Sequence, residues 1–400
     1  MKIAVLGRGT AGAQSAAHLV KNFPHHEIEW HYDPNIPTQA VGEGSQLSLA
    51  RDLKVNLNMS YEDLKSFDAF IKLGVHKVNW GKAQREFNHD FPFGNLALHF
   101  NARGLQDFIH HKLKNKLTVV EHNTSAEQID ADYIIDCSGV PDDLDDLNIP
   151  KYIPVNSVHV TQCYWDYPKF THTLAIARPY GWVFGIPLKN RCSIGYIYNK
   201  DINTIDEVKD DVKNVFIEYG LTPSEDTNTF NFKNYYRKQN FNGNIFYNGN
   251  ASFFLEPLEA TSLTCMSFIQ ESATNIIKQN MSQEHANEDY IKFIRSVENM
   301  IMLHYFAGST WDTEFWKFAQ QRGEQCMIEA SSDPNFVRSC KFAFEDNPRL
   351  HKNKIKGLEM GWESFDPHRI DRFYGTWPPG SYSVNINNLG IKEKLSKLLD

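Results

Sequence analysis

The feature that most limits what this chain can fold into is its first twenty residues. Lys2-Ile3-Ala4-Val5-Leu6 is a short apolar run of the kind that forms a buried strand, and it leads directly into Gly7-Arg8-Gly9-Thr10-Ala11-Gly12. A small, helix-favouring stretch, Ala13-Gln14-Ser15-Ala16-Ala17-His18-Leu19-Val20, follows. Strand, glycine turn and helix in this order mark a dinucleotide-binding βαβ unit. The glycines allow a sharp turn and let the backbone approach a pyrophosphate, which rests on the positive end of the helix. Glu27-Ile28-Glu29-Trp30-His31-Tyr32 reads as the second strand and ends at Asp33-Pro34. Asp33 lies 21 positions beyond Gly12, close to the spacing at which a carboxylate meets ribose hydroxyls, although a residue in front of proline also suits a turn.

Farther along, Tyr133-Ile134-Ile135-Asp136-Cys137-Ser138-Gly139 reads as another buried strand of the same sheet running into a small-residue turn. Between 155 and 198, four β-rich runs separated by Pro, Gly and Asn predict an antiparallel sheet. Helical spacing covers Ile205–Tyr219, stopped by Gly220, and again 288–306, so the C-terminal third is mainly helical. The expected fold class is α/β: a Rossmann-like dinucleotide-binding module, an antiparallel substrate module and a helical C-terminal part. With no internal repeat or low-complexity linker, the modules interleave. The expected dinucleotide-binding module comprises 1–60, 95–150 and 236–285, and the substrate-facing module comprises 61–94, 151–235 and 286–400.

Composition narrows the function. Four hundred residues, 41% of them apolar, suffice for one large catalytic unit or two closely packed modules. Lys and Arg number 41 against 49 Asp and Glu, a net charge of −8 with no dense basic block, which argues against nucleic acid as a partner. Six dispersed cysteines without a C-x-x-C fit neither a disulfide framework nor a zinc site, so a reducing, cytoplasmic setting and no metal are expected. No apolar run reaches the roughly 18 to 20 residues that span a bilayer, and Arg8 and three glycines interrupt what would be a signal-peptide core. A membrane partner is therefore not expected.

Joined to four later segments, the glycine turn makes the sequence resemble the flavin-dependent halogenases, the tryptophan halogenase family. Ile36-Pro37 with Val41-Gly42-Glu43-Gly44 looks like the family's flavin-lining I-P-x-x-x-V-G-E, and Asp136-Cys137-Ser138-Gly139 is similar to its D-C-[ST]-G strand end. Gly181-Trp182-Val183-Phe184-Gly185-Ile186-Pro187 resembles W-x-W-x-I-P. The most specific match is the segment from Gly249-Asn250 to Glu256-Pro257-Leu258-Glu259-Ala260-Thr261-Ser262, which looks like the family's P-L-E-[SA]-T-[GS]. Smaller echoes are Val78-Asn79-Trp80, His99-Phe100-Asn101-Ala102, and His304-Tyr305-Phe306 before Asp312-Thr313.

The resemblance implies that FADH2 from a separate flavin reductase reacts with O2 to a flavin hydroperoxide. Halide attacks this, and hypohalous acid passes through a tunnel to an electron-rich aromatic. It assigns cofactor contacts to Gly7, Gly9, Thr10, Ala11, Gly12, Asp33, Val41, Gly42, Glu43, Ser138, Gly139, Trp182, Ile186, Pro187, Gly249, Asn250 and Leu258. The halide falls to the amides of Thr261 and Ser262, and the general base to Glu259, whose structural alternative is a carboxylate at a helix start marked by Pro257. A second dinucleotide fingerprint is not visible, hence the outside supplier of reduced flavin.

Three departures stand out. An ungapped alignment on Val78-Asn79-Trp80 puts His76 on the family's oxidant-handling lysine, with Lys77 next to it. Neighbours on a strand face opposite ways, so Lys77 points away from the tunnel unless a bulge turns it in. Phe184 replaces the second signature tryptophan, keeping an aromatic wall without the indole N–H. Only the 18 residues 81–98 separate Trp80 from His99, where tryptophan-specific members carry a long insert; this suits a larger indole or phenol, or a carrier-bound substrate. A flavin monooxygenase and a non-catalytic FAD-binding protein remain as alternatives.

Overall fold

A computed structural model describes residues 1–37, 44–91, 97–143, 145–344 and 374–399. The chain divides into two interleaved units: Met1–Phe70, Phe100–Ile149 and Tyr235–Ile294 form the first, and Ile71–His99, Pro150–Asn234 and Arg295–Asp400 the second.

In the first unit, the opening run becomes the strand Lys2–Leu6, pairing in parallel with Glu27–Tyr32 on one side and Tyr133–Asp136 on the other. Thr118–Glu121 and Ile245–Tyr247 extend the parallel ladder outwards, and Phe241–Asn242 closes one edge antiparallel, giving six strands. Ile3, Ala4 and Val5 have no exposed surface, as a strand covered on both faces requires. The helix Thr10–Asn22 buries Ala11, Ala13, Ala16 and Ala17; these small side chains let it lie close to its neighbours Leu47–Leu57, Ala102–Leu113 and Ser262–Ile277. The βαβ opening is therefore present as expected.

The second unit is built on a seven-stranded sheet in the order Thr222–Asn231, Ser157–Tyr164, Arg191–Tyr198, Gly181–Pro187, Thr173–Arg178, Gly74–Val78, Glu86–Asp90. Its ladders are antiparallel except for that between Thr173–Arg178 and Gly74–Val78. The four strands expected between 155 and 198 form its centre. One face buries Leu174, Ile176, Val183 and Ile194 with Val208, Val212 and Val215 of the helix Ile205–Tyr219. That helix starts with a Thr204/Glu207 capping box and ends at left-handed Gly220. Arg178 forms a buried ion pair with Asp211 at 2.6 Å beneath it, and Tyr196 donates its hydroxyl to the same carboxylate. The helix expected over 288–306 is longer, Gln283–Ala307. Further helices, Glu314–Ala330, Pro334–Phe344, Pro379–Leu389 and Lys392–Leu399, make the described C-terminal part helical. No described helix is long and apolar enough to cross a membrane.

Candidate active site

The glycine turn is a cradle shaped by close approach. Gly7 has φ 107°, and a Cβ there would lie 2.4 Å from the Cys137 carbonyl oxygen; a Cβ on Gly12 would lie 2.0 Å from the Gly7 oxygen. Gly9 differs, since nothing lies within 4 Å of where its Cβ would stand. It is also the N-cap of Thr10–Asn22, with no side-chain cap and no acidic residue in the first turn, so the positive helix end stays available to an anion. Gly139, with φ 124°, opens in the same way beyond the Tyr133–Asp136 strand, where Ser138 donates its N–H to the Asp136 carboxylate at 2.8 Å. Gly249 presses on Ala11, with a hypothetical Cβ 2.5 Å from the alanine methyl. Asn250 accepts a hydrogen bond from the Tyr235 hydroxyl at 2.7 Å, and Leu258 is buried. Asp33 accepts from the backbone and side-chain N–H groups of Asn35 at 2.8 and 3.0 Å, as a turn residue does. Val41, Gly42 and Glu43 lie outside the described residues. A tight glycine turn opening on an uncapped helix end fits the pyrophosphate of FAD.

The second centre of the first unit is the 257–262 turn. Glu259 and Ala260 both adopt left-handed backbone, with φ 69° and 54°. For residues with a Cβ this costs roughly 1–2 kcal/mol each. Proline at 257 does not start the regular helix: the helix runs Ser262–Ile277, so Glu259 sits outside it and is no helix-start carboxylate. The turn delivers the first N–H groups of that helix, which have no partners within it. Thr264 and Cys265 donate to the Thr261 carbonyl at 3.1 and 3.0 Å, while the buried Thr261 hydroxyl has no hydrogen-bond partner among the described residues. Glu259 is only 5% exposed. The Gln46 side chain holds the turn from outside. Its Nε2 donates to the Glu259 carbonyl at 2.7 Å and its Oε1 accepts from the Thr264 hydroxyl at 2.9 Å, with the Ser48 hydroxyl 3.0 Å from that of Thr264.

In the second unit, the Gly74–Val78 strand keeps regular register with both neighbours, without a bulge, so His76 and Lys77 face opposite ways. Lys77 lies level with Phe87 and Ala175, and Ala175 with Phe184, which puts Lys77 on the sheet face that carries Trp182 and Phe184. His76 lies level with Asn88 and Leu174, on the face covered by Ile205–Tyr219. Half-buried, His76 is 2.7 Å from the Asn88 side-chain oxygen and 3.5 Å from the Glu86 carboxylate. The alignment therefore favours His76, while the sheet sets Lys77 beside the signature aromatics.

Lys77 is not a solvated strand side chain. It has no exposed surface, and its Nζ lies 2.6 Å from His304 Nε2 and 2.5 Å from Asn385 Oδ1. His304 Nδ1 is 3.1 Å from the Ile301 carbonyl, which can only accept, so Nδ1 carries the proton and Nε2 is left to accept from the ammonium. The amide of Asn385 is fixed similarly by Nδ2 donating to the Ser381 carbonyl. The Nζ is also 5.1 Å from the Trp377 ring centre. Trp80 packs edge-on against His304 and beside Trp182, and donates its indole N–H to the Ala175 carbonyl. Phe184 lies on Gly195, whose hypothetical Cβ would be 2.0 Å from the ring. In the signature strand Pro187 is buried and Ile186 partly so.

Sequence reasoning missed Gln46, Asn385, Trp377 and a second buried lysine, Lys72, and noticed His304 only as a family echo. Gln46 and Asn385 reach partners more than 200 residues away, at Glu259 and Lys77. Lys72 also sets the character of His99, whose pKa burial lowers well below the ordinary value, with the Lys72 charge adding to the effect; His99 is neutral near pH 7.

A parallel nucleotide-binding sheet with an open glycine cradle defines a dinucleotide-dependent enzyme class. The tryptophan halogenase family model matches residues 2–118 and 106–333, and the chain belongs to that family of flavin-dependent halogenases. It is 24% identical to tryptophan 7-halogenase RebH from Lentzea aerocolonigenes, over 79% of this chain and 78% of that enzyme. It is also 24% identical to 7-chloro-L-tryptophan 6-halogenase KtzR from Kutzneria sp. (strain 744), over 63% of this chain and 54% of that one. Among solved structures, the tryptophan C-6 halogenase Tar14 superposes with a TM-score of 0.76 at 18% identity, covering 97% of this chain and 90% of Tar14, a likeness of fold.

Proposed function

We propose that the protein halogenates an electron-rich aromatic substrate of indole or phenol type, using O2 and FADH2 supplied by a separate reductase. When bound, reduced flavin supplies the electrons that let O2 oxidise halide to hypohalous acid. The glycine turn and the start of Thr10–Asn22 hold the pyrophosphate. The amides of Thr261 and Ser262 hold the halide, with the buried Thr261 hydroxyl as a further donor. Glu259 accepts the proton lost by the ring. Lys77, held by His304 and Asn385, handles the oxidant; its place on the face of Trp182 and Phe184 favours it over His76.

The observation carrying this reading is the 257–262 turn, where a buried carboxylate stands beside an uncapped helix start. Incubation with reduced FAD, O2, bromide and a panel of indoles and phenols of increasing size tests it: brominated product is expected. Lys77→Met should abolish bromination while flavin reoxidation continues, and His76→Ala should leave both largely intact. Mixing with FAD and NADPH alone should not oxidise the nicotinamide quickly. Phe184 in place of an indole favours the second reading, a monooxygenase, for which products would carry added oxygen only.

A further inference from the structure

Gln46 is linked to the 257–262 turn by nothing in the sequence. It precedes the helix Leu47–Leu57 as its N-cap, in extended backbone, and is 6% exposed. Both ends of its amide are used, one on the Glu259 carbonyl and the other on the hydroxyl of Thr264, so its orientation is fixed. The first contact grips the left-handed residue that bears the carboxylate. The second grips the first turn of the helix whose leading amides are those of Thr261 and Ser262. Between these two points lie Ala260, itself left-handed, and both halide donors. A side chain tied to both sides of a strained two-residue kink sets the direction in which the intervening N–H groups point.

We infer that Gln46 is a positioning residue for halide: it fixes the Glu259–Ala260 kink and so aims the Thr261 and Ser262 amides. This rests on the reading that those amides bind halide. Gln46 touches neither halide nor substrate in this role, so its loss should weaken halide binding more than turnover at saturation. Glycine adopts left-handed backbone without a Cβ penalty, so Ala260→Gly should make the support less necessary.

The test uses FAD-loaded protein with chloride NMR line broadening for halide affinity, bromide KM and kcat for turnover, and thermal midpoint for fold. Gln46→Leu should weaken chloride binding and raise the bromide KM by about ten-fold, the scale of one lost hydrogen bond. At saturating bromide, kcat should stay within about two-fold by the same reasoning. The double variant Gln46→Leu with Ala260→Gly should recover most of the affinity, and it serves as the readout if Gln46→Leu alone does not fold. Wild-type affinity in Gln46→Leu overturns the inference, as does a double variant that regains thermal midpoint but not halide. Absence of chloride broadening in the wild type overturns the halide reading itself, and this inference with it.

Discussion

Two turns of the first unit each lead into the start of a helix, and they do so by opposite means. At 7–12 the chain uses glycines, and the close approaches of Gly7 and Gly12 cost little because no Cβ is present. At 257–262 it places Glu259 and Ala260 in left-handed backbone that glycine would adopt freely. The difference teaches what each turn must carry. The first leaves the main-chain amides of an uncapped helix end open, whereas the second bears a carboxylate on the kinked residue itself. Glycine at 259 would relieve the strain but remove the carboxylate, and the Gln46 side chain hydrogen-bonds the kinked backbone at the Glu259 carbonyl.

The sharpest way to break this contrast is Glu259→Gln. With the backbone retained and the base gone, product formation should fall by about 100-fold or more while FAD binding and flavin reoxidation persist, followed by mass spectrometry and flavin absorbance. Full-rate product would reduce the second turn to scaffolding. For the first turn, Gly12→Ala forces a methyl against the Gly7 carbonyl and should cost about 3 kcal/mol or more of stability in denaturant unfolding. Gly9→Ala meets no atom of the described residues, so it should unfold like the wild type yet bind FAD about ten-fold more weakly. Equal stability for the two would dissolve the distinction between packing glycine and ligand-facing glycine.

The second unit stores a cost in a buried charge. Glu298 is buried, and one of its carboxylate oxygens has no partner among the described residues; burial pushes its pKa up to about 7, against the Tyr152 N–H and the Arg295 charge, which act to lower it. Because the folded value lies above that of a free glutamate, its contribution is complete in acid and is lost as pH rises through about 7. Glu298→Gln should therefore gain roughly 2–3 kcal/mol over the wild type at about pH 8.5 and nothing at about pH 4, measured by denaturant unfolding at both. A pH-independent difference would show that the carboxyl is not titrating in place.

How much of this was legible in the sequence followed the range of each signal. The glycine cradle and the helix Ile205–Tyr219 are written in consecutive residues, where spacing, caps and turn chemistry suffice. Glu259, Thr261 and Ser262 could be named from a contiguous motif, but not their left-handed kink, because neither glutamate nor alanine announces positive φ. The choice between His76 and Lys77 needed the pairing of Gly74–Val78 with Thr173–Arg178, a contact roughly a hundred residues away. Asn385 and Trp377 come from the far end of the chain, and polar residues in ordinary helical sequence carry no mark that they will face a buried ammonium.

The contact between Phe184 and Gly195 gives that glycine an influence beyond its size. With no clearance between the Gly195 backbone and the ring, the tilt of Phe184 is dictated by the sheet beneath it. A single methyl introduced at 195 would act as a wedge, swinging the aromatic outward without altering its chemistry. Position 195 thus governs how the Phe184 ring is seated on the sheet.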